Sequence, residues 1–161
     1  MRKWMYLIIS IGFLFILIGC TASDRNEAEA EQLKQKEEVL ELPSLAFTNG
    51  NTFIKYIRGA FSWTVVNDKT NEKQTWMVDI EAPPGLVNIG DAVPFSISQA
   101  TVLTFGQVPT NYTINIWDEE TMVASYHLFT DIKERGPYII EIVGLWDEGE
   151  VAYVAAIDIQ D

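Results

Sequence analysis

A single cysteine in 161 residues leaves no partner for an intramolecular disulfide. A single histidine, His127, excludes multi-histidine metal sites and weakens any Ser-His-Asp arrangement. Bases are scarce as well. Lys and Arg number 11 against 23 Asp and Glu, a net charge of −12, so the chain lacks the cationic surface that a phosphate backbone requires. No nucleic acid is expected among its partners. Gly-x-x-x-x-Gly-Lys, Gly-x-Gly-x-x-Gly and Gly-x-Ser-x-Gly are all missing, which removes the common nucleotide cradles and the nucleophile elbow. What the chain does have is apolar substance. Hydrophobic residues make up 48% and aromatics 12%, enough to pack a core without disulfide or metal.

The apolar residues are concentrated first at the N-terminus. Arg2 and Lys3 precede an apolar stretch from Trp4 to Gly19 that only Ser10 interrupts, and this stretch ends Leu17-Ile18-Gly19-Cys20. It falls short of the roughly 20 residues that span a bilayer, which leaves a secretory signal or an uncleaved anchor helix open. The ending resembles the lipobox of bacterial lipoproteins. That resemblance implies a signal peptide over 1–19, cleavage between Gly19 and Cys20, and a diacylglyceryl group on the Cys20 thiol. The protein would then sit on the extracytoplasmic face of the cell membrane, with its one thiol consumed by lipid. Two acyl chains hold a protein where one lets it escape.

Residues 20–43 follow as a polar stalk. After the cysteine they carry seven acids and three bases, with no aromatic and no glycine, and only Leu33 and Leu40 share a helical face with any regularity. Such a segment cannot bury itself and serves best as reach. From Ser44 the pattern changes. Nine windows rich in Val, Ile, Thr, Tyr, Phe and Trp read as strands: Thr52–Ile57, Ala60–Val66, Thr75–Glu81, Val93–Ser98, Val102–Phe105, Tyr112–Trp117, Met122–Phe129, Tyr138–Trp146 and Ala152–Ile159. Turn residues separate them, and Asp147-Glu148-Gly149 marks the last hairpin. No segment has the helical period. The expectation is all-β: an immunoglobulin-like antiparallel sandwich of about eight or nine strands over 44–161, with an up-and-down barrel as the alternative.

The domain carries a second resemblance. Gly59-Ala60-Phe61-Ser62-Trp63, Ala82-Pro83-Pro84-Gly85-Leu86 and the closing Gly136-Pro137-Tyr138, Trp146, Gly149 and Tyr153 are similar to small β domains of Firmicute envelope proteins. The resemblance implies a sandwich and a Gram-positive source, and no activity.

Few residues offer chemistry. Ser125 lies on the same strand face as His127, a neighbour without an orienting acid. Two acidic turns, Asp118-Glu119-Glu120 and Asp147-Glu148-Gly149-Glu150, are the candidates for weak calcium binding, and neither has EF-hand spacing. No metal or other cofactor is called for. Trp63 and Trp146 are expected in the core. Trp117 is out of phase with Tyr112, Ile114 and Ile116, so it is a candidate to point outward beside Asp118, where it would stack on a sugar or anchor a protein. Pro83, Pro84, Gly85 and Leu86 form the stiffest apolar loop.

Three functions compete. The first is a non-catalytic binding or accessory module for an envelope protein or a wall glycan, its partner cationic or neutral on electrostatic grounds. The second is a protease inhibitor or regulatory lipoprotein that uses the 83–86 loop. The third is a small envelope hydrolase.

Overall fold

The run Gly-Glu-Val-Ala-Tyr-Val-Ala-Ala-Ile-Asp-Ile at 149–159 is apolar at nearly every position, a pattern that suits a strand covered on both faces. It forms the central strand of the larger of two sheets. The computed structural model describes residues 40–161, of which Leu42–Asp161 form one compact unit. In chain order the elements are β1 (Leu45–Asn49), β2 (Thr52–Phe53), β3 (Ile57–Val66), β4 (Lys73–Val78), the helical turn α1 (Pro83–Leu86), β5 (Val93–Phe95), β6 (Thr101–Phe105), β7 (Asn111–Trp117), β8 (Met122–Tyr126), β9 (Gly136–Trp146) and β10 (Gly149–Ile159).

The large sheet runs β4-β3-β10-β9-β7-β8, and β5 joins the far end of β10 beside β3. The small sheet is β2-β1-β6. The two face each other as an immunoglobulin-like sandwich. Each of the nine predicted windows contains or overlaps a strand, and β1 brings the number to ten. Two features depart from the sequence reading. β5 pairs with β10 in parallel, Ile157 opposite Val93, where antiparallel pairing is predicted throughout. Pro83–Leu86 closes one helical turn, with proline at the first helical position, where its missing N–H costs nothing.

Cross-strand register assigns the two faces of the large sheet. Val151, Tyr153, Ala155, Ile157 and Ile159 point with Ile140, Ile142, Ile114 and Ile116 toward the small sheet, and all are buried. Trp63 and Trp146 meet edge to face at 5.6 Å, and Phe105 of the small sheet lies 5.8 Å from Trp146. Both indoles are core, as their strands predict. The Trp146 Nε1–H donates to the Gln107 carbonyl at 3.0 Å, so the ring is buried without a wasted donor. Gly144, two residues earlier on the same face, lies where a Cβ would strike the Trp146 ring.

The outer face of β10 is covered too. Ala152, Val154 and, on β9, Ile139 are buried because α1 and the 3₁₀ turn Ile89–Asp91 lie across β3, β9 and β10. That cover explains why the alternation expected of a half-exposed strand is lost in 151–155.

Candidate functional site

The large sheet is wider than the small one and overhangs it on both sides. On the β7–β8 side the overhang and β6 enclose a groove of about 610 Å³. Leu103 and Phe105 of β6 form one wall, Val108 and Pro109 one end, and Tyr112 and Phe129 face them, with threonines and Asn111 completing the lining. No charged side chain lines it, in a chain of net charge −12. Phe129 is fixed from below by stacking on Phe47 at 5.5 Å, and Tyr112 by Phe105 at 5.9 Å. The walls are therefore built, not loose.

The backbone along this groove is unsatisfied in a regular way. Gly50 N–H donates to the Ala100 carbonyl and Gly106 N–H to the Ser44 carbonyl, at 2.9 and 2.8 Å. With the register Ala46↔Thr104 and Thr48↔Val102, those bonds put the amides and carbonyls of even-numbered β6 residues on β1. Thr101, Leu103 and Phe105 then direct their N–H and C=O groups outward, along the groove. That is the geometry to which an extended chain adds as a further strand.

On the opposite surface, Ser125, Asn115 and Glu141 form a row across β8, β7 and β9. Ser125 Oγ donates to Asn115 Oδ1 at 2.8 Å, and Asn115 Nδ2 donates to Glu141 Oε2 at 3.0 Å. Trp117 Nε1–H donates to the same carboxylate oxygen at 3.2 Å. The register shift between Ile116 and Trp117 leaves the indole half-buried on this row. Asp118 serves its own turn. Its Oδ1 accepts N–H bonds from Thr121 at 2.7 Å and Glu120 at 2.8 Å, and these hold its carboxyl below the usual range.

Other expectations meet plain geometry. Pro83 is buried against the sheet, Pro84 and Leu86 are half-buried, and only Gly85 is exposed, so the 83–86 segment is a cover. His127 is exposed, with Nδ1 3.2 Å from the Tyr112 carbonyl, while the Ser125 hydroxyl is engaged by Asn115. Among the described residues no group of three His, Cys, Asp or Glu is placed to hold a metal ion. Also among them, no helix is long and apolar enough to cross a membrane. The expected signal peptide over 1–19, the expected cleavage and lipidation site at Gly19 and Cys20, and the expected stalk up to residue 39 lie outside the described residues. Comparison with family models, with curated proteins and with solved structures found no match.

Proposed function

We propose that this chain is a cell-envelope lipoprotein, tethered through Cys20, whose sandwich is a non-catalytic module that takes an extended, uncharged segment of a partner protein. The observation that carries the reading is the free edge of β6 running beside an uncharged groove of fixed aromatic walls. Backbone hydrogen bonds to Thr101, Leu103 and Phe105 supply affinity, and Tyr112, Phe129 and Val108 select apolar side chains. A charged segment would lose its hydration there without gaining a counter-charge.

A photo-crosslinker at Thr104, on the rim of the groove, tests this in cells. The expected result is one discrete protein adduct whose crosslinked peptide is uncharged. Val108 is 85% exposed, so Val108→Asp leaves the fold intact yet places a charge at the groove end; adduct yield should drop about tenfold. An adduct that survives Val108→Asp unchanged removes the groove from the reading. Glycan adducts from position 117 instead would favour the Trp117–Glu141 row, whose amide, hydroxyl and indole are groups that recognise sugars.

The tether is tested separately. Radiolabelled palmitate should enter the wild-type chain and be lost in Cys20→Ala, with the precursor accumulating uncleaved. Equal label in both chains would eliminate Cys20 as the anchor.

A further inference from the structure

The other overhang carries β4, and every residue of that strand is exposed. Trp76 is 45% exposed and Met77 72%, and Val66 of β3 and Val78 add to the same bare ribbon. The strand has no proline and no bulge, two devices by which sheet edges are usually blunted. It is also stiffly presented. Asn67 Oδ1 caps the β3–β4 turn by accepting the N–H of Lys69 at 2.9 Å and of Thr70 at 3.2 Å.

Its free backbone groups can be assigned. Asn67 N–H donates to the Glu72 carbonyl at 2.9 Å, which makes Val65↔Gln74, Trp63↔Trp76 and Phe61↔Val78 the hydrogen-bonded pairs with β3. The Thr64 and Thr75 hydroxyls, 2.9 Å apart, occupy a pair without backbone bonds, as this phase requires. Lys73, Thr75 and Met77 therefore aim their N–H and C=O groups away from the sheet.

We infer that the β4 edge pairs antiparallel with β4 of a second copy of this chain, about a two-fold axis at Trp76. The sequence Lys73-Gln74-Thr75-Trp76-Met77-Val78-Asp79 is complementary to itself in that register. Thr75 meets Met77 of the second copy in hydrogen-bonded pairs, and Lys73 meets its Asp79, once at each end. Trp76 meets its own twin in a pair without backbone bonds, where cross-strand side chains approach most closely. Shifting the axis to Thr75 sets Trp76 against Gln74 and leaves Lys73 and Asp79 without each other.

Charge permits self-association at this edge. Residues 51–79 hold four bases, Lys55, Arg58, Lys69 and Lys73, against three acids, Asp68, Glu72 and Asp79, in a chain of net charge −12. Two copies meeting along these ribbons therefore escape much of the repulsion that the chain's net charge imposes. A single strand edge is small beside the ~1,600 Å² of a standard interface, so the dimer is reversible. The inference is independent of the β6 groove and of the tether.

Trp76→Cys tests the register. Directly opposed Cβ atoms at such a site lie within disulfide reach. The full chain, purified in detergent and mildly oxidised, should form a 76-to-76 disulfide about tenfold faster than Thr121→Cys, an exposed turn position. The unsubstituted chain, with only Cys20, sets the background. Met77→Pro removes an N–H that β3 does not use, so the monomer should keep its fold. The concentration-dependent dimer seen by sedimentation should vanish. A monomer at every concentration, a dimer indifferent to Met77→Pro, or linkage at Thr75→Cys in place of Trp76→Cys would each overturn the proposal.

Discussion

Gly149→Ala should destabilise the domain by at least ~3 kcal/mol, measured by urea unfolding, and Gly136→Ala by only ~1 kcal/mol. Both glycines occupy backbone that other residues avoid, with φ of 152° and 100°. Around Gly136 nothing lies within 4 Å of an added Cβ, so only conformational strain is at stake. At Gly149 the added Cβ would overlap the Ser62 carbonyl oxygen, and the Trp63 Cα would be 3.1 Å away. Asp147 and Glu148 both keep negative φ, so the reversal between β9 and β10 falls on Gly149 itself. Relief would require β3 to separate from β10 where Gly149 pairs with Trp63. Equal losses at the two glycines would show that backbone strain, and not contact with β3, sets the requirement.

Tyr153→Ala should cost about 3–5 kcal/mol, and Tyr153→Phe about 1–3 kcal/mol. The ring is 1% exposed, edge-on to Tyr56 at 5.3 Å and 6.1 Å from Phe105. Its hydroxyl donates to the Pro43 carbonyl at 2.7 Å, tying the start of the compact unit to the centre of the large sheet. Phenylalanine keeps the packing and leaves that carbonyl without its partner, so the difference between the two variants separates ring from hydroxyl. Burial pushes the Tyr153 phenol from 10 up to about 12, against an opposing pull from Arg58. A raised pKa means that the folded state holds its proton more tightly than the unfolded chain. Its stabilising contribution is therefore whole below pH 10 and is lost as pH climbs toward about 12. Urea midpoints of the wild type should fall in that window and those of Tyr153→Phe should fall less. Parallel declines would assign the alkaline loss to other groups.

The strands were legible where one face is wet. Tyr112, Ile114 and Ile116 alternate with Thr113 and Asn115, and the strand lies where that alternation puts it. β1 was missed because Leu45-Ala46-Phe47-Thr48-Asn49 is short and abuts the Asn49-Gly50 turn, while its burial comes from Phe95 and Phe129, distant in sequence. The stretch 83–86 read as a loop because its two prolines and glycine say nothing of the sheet beneath it. Trp117 shows the limit for sites. Strand phase put its side chain opposite Ile116, and the structure does so, but its bond to Glu141 joins residues 24 apart. Val108 and Phe129 gave no signal at all, since a groove between two sheets is a property of their unequal widths. Trp76 differs only in what covers it: its cross-strand partner Trp63 is core, yet the small sheet stops short of β4.

The place of β10 also fixes a timetable. A chain is made from its N-terminus, so β3 and β4 emerge early and can close as a hairpin, and β7 and β8 emerge later and can close as a second hairpin, to which β9 adds beside β7. Nothing but β10 joins these halves within the sheet, and it is the last strand in sequence. Until it arrives, β3 and β5 have no neighbour on that side, and the pairings it makes with them span more than 60 residues. Such distant closures are slow, so the emerging chain stays threadable for as long as its C-terminal strand is withheld. A protein bound for the far side of a membrane, as we propose for this one, gains from that order, because its sheet cannot be completed before the whole domain has passed through.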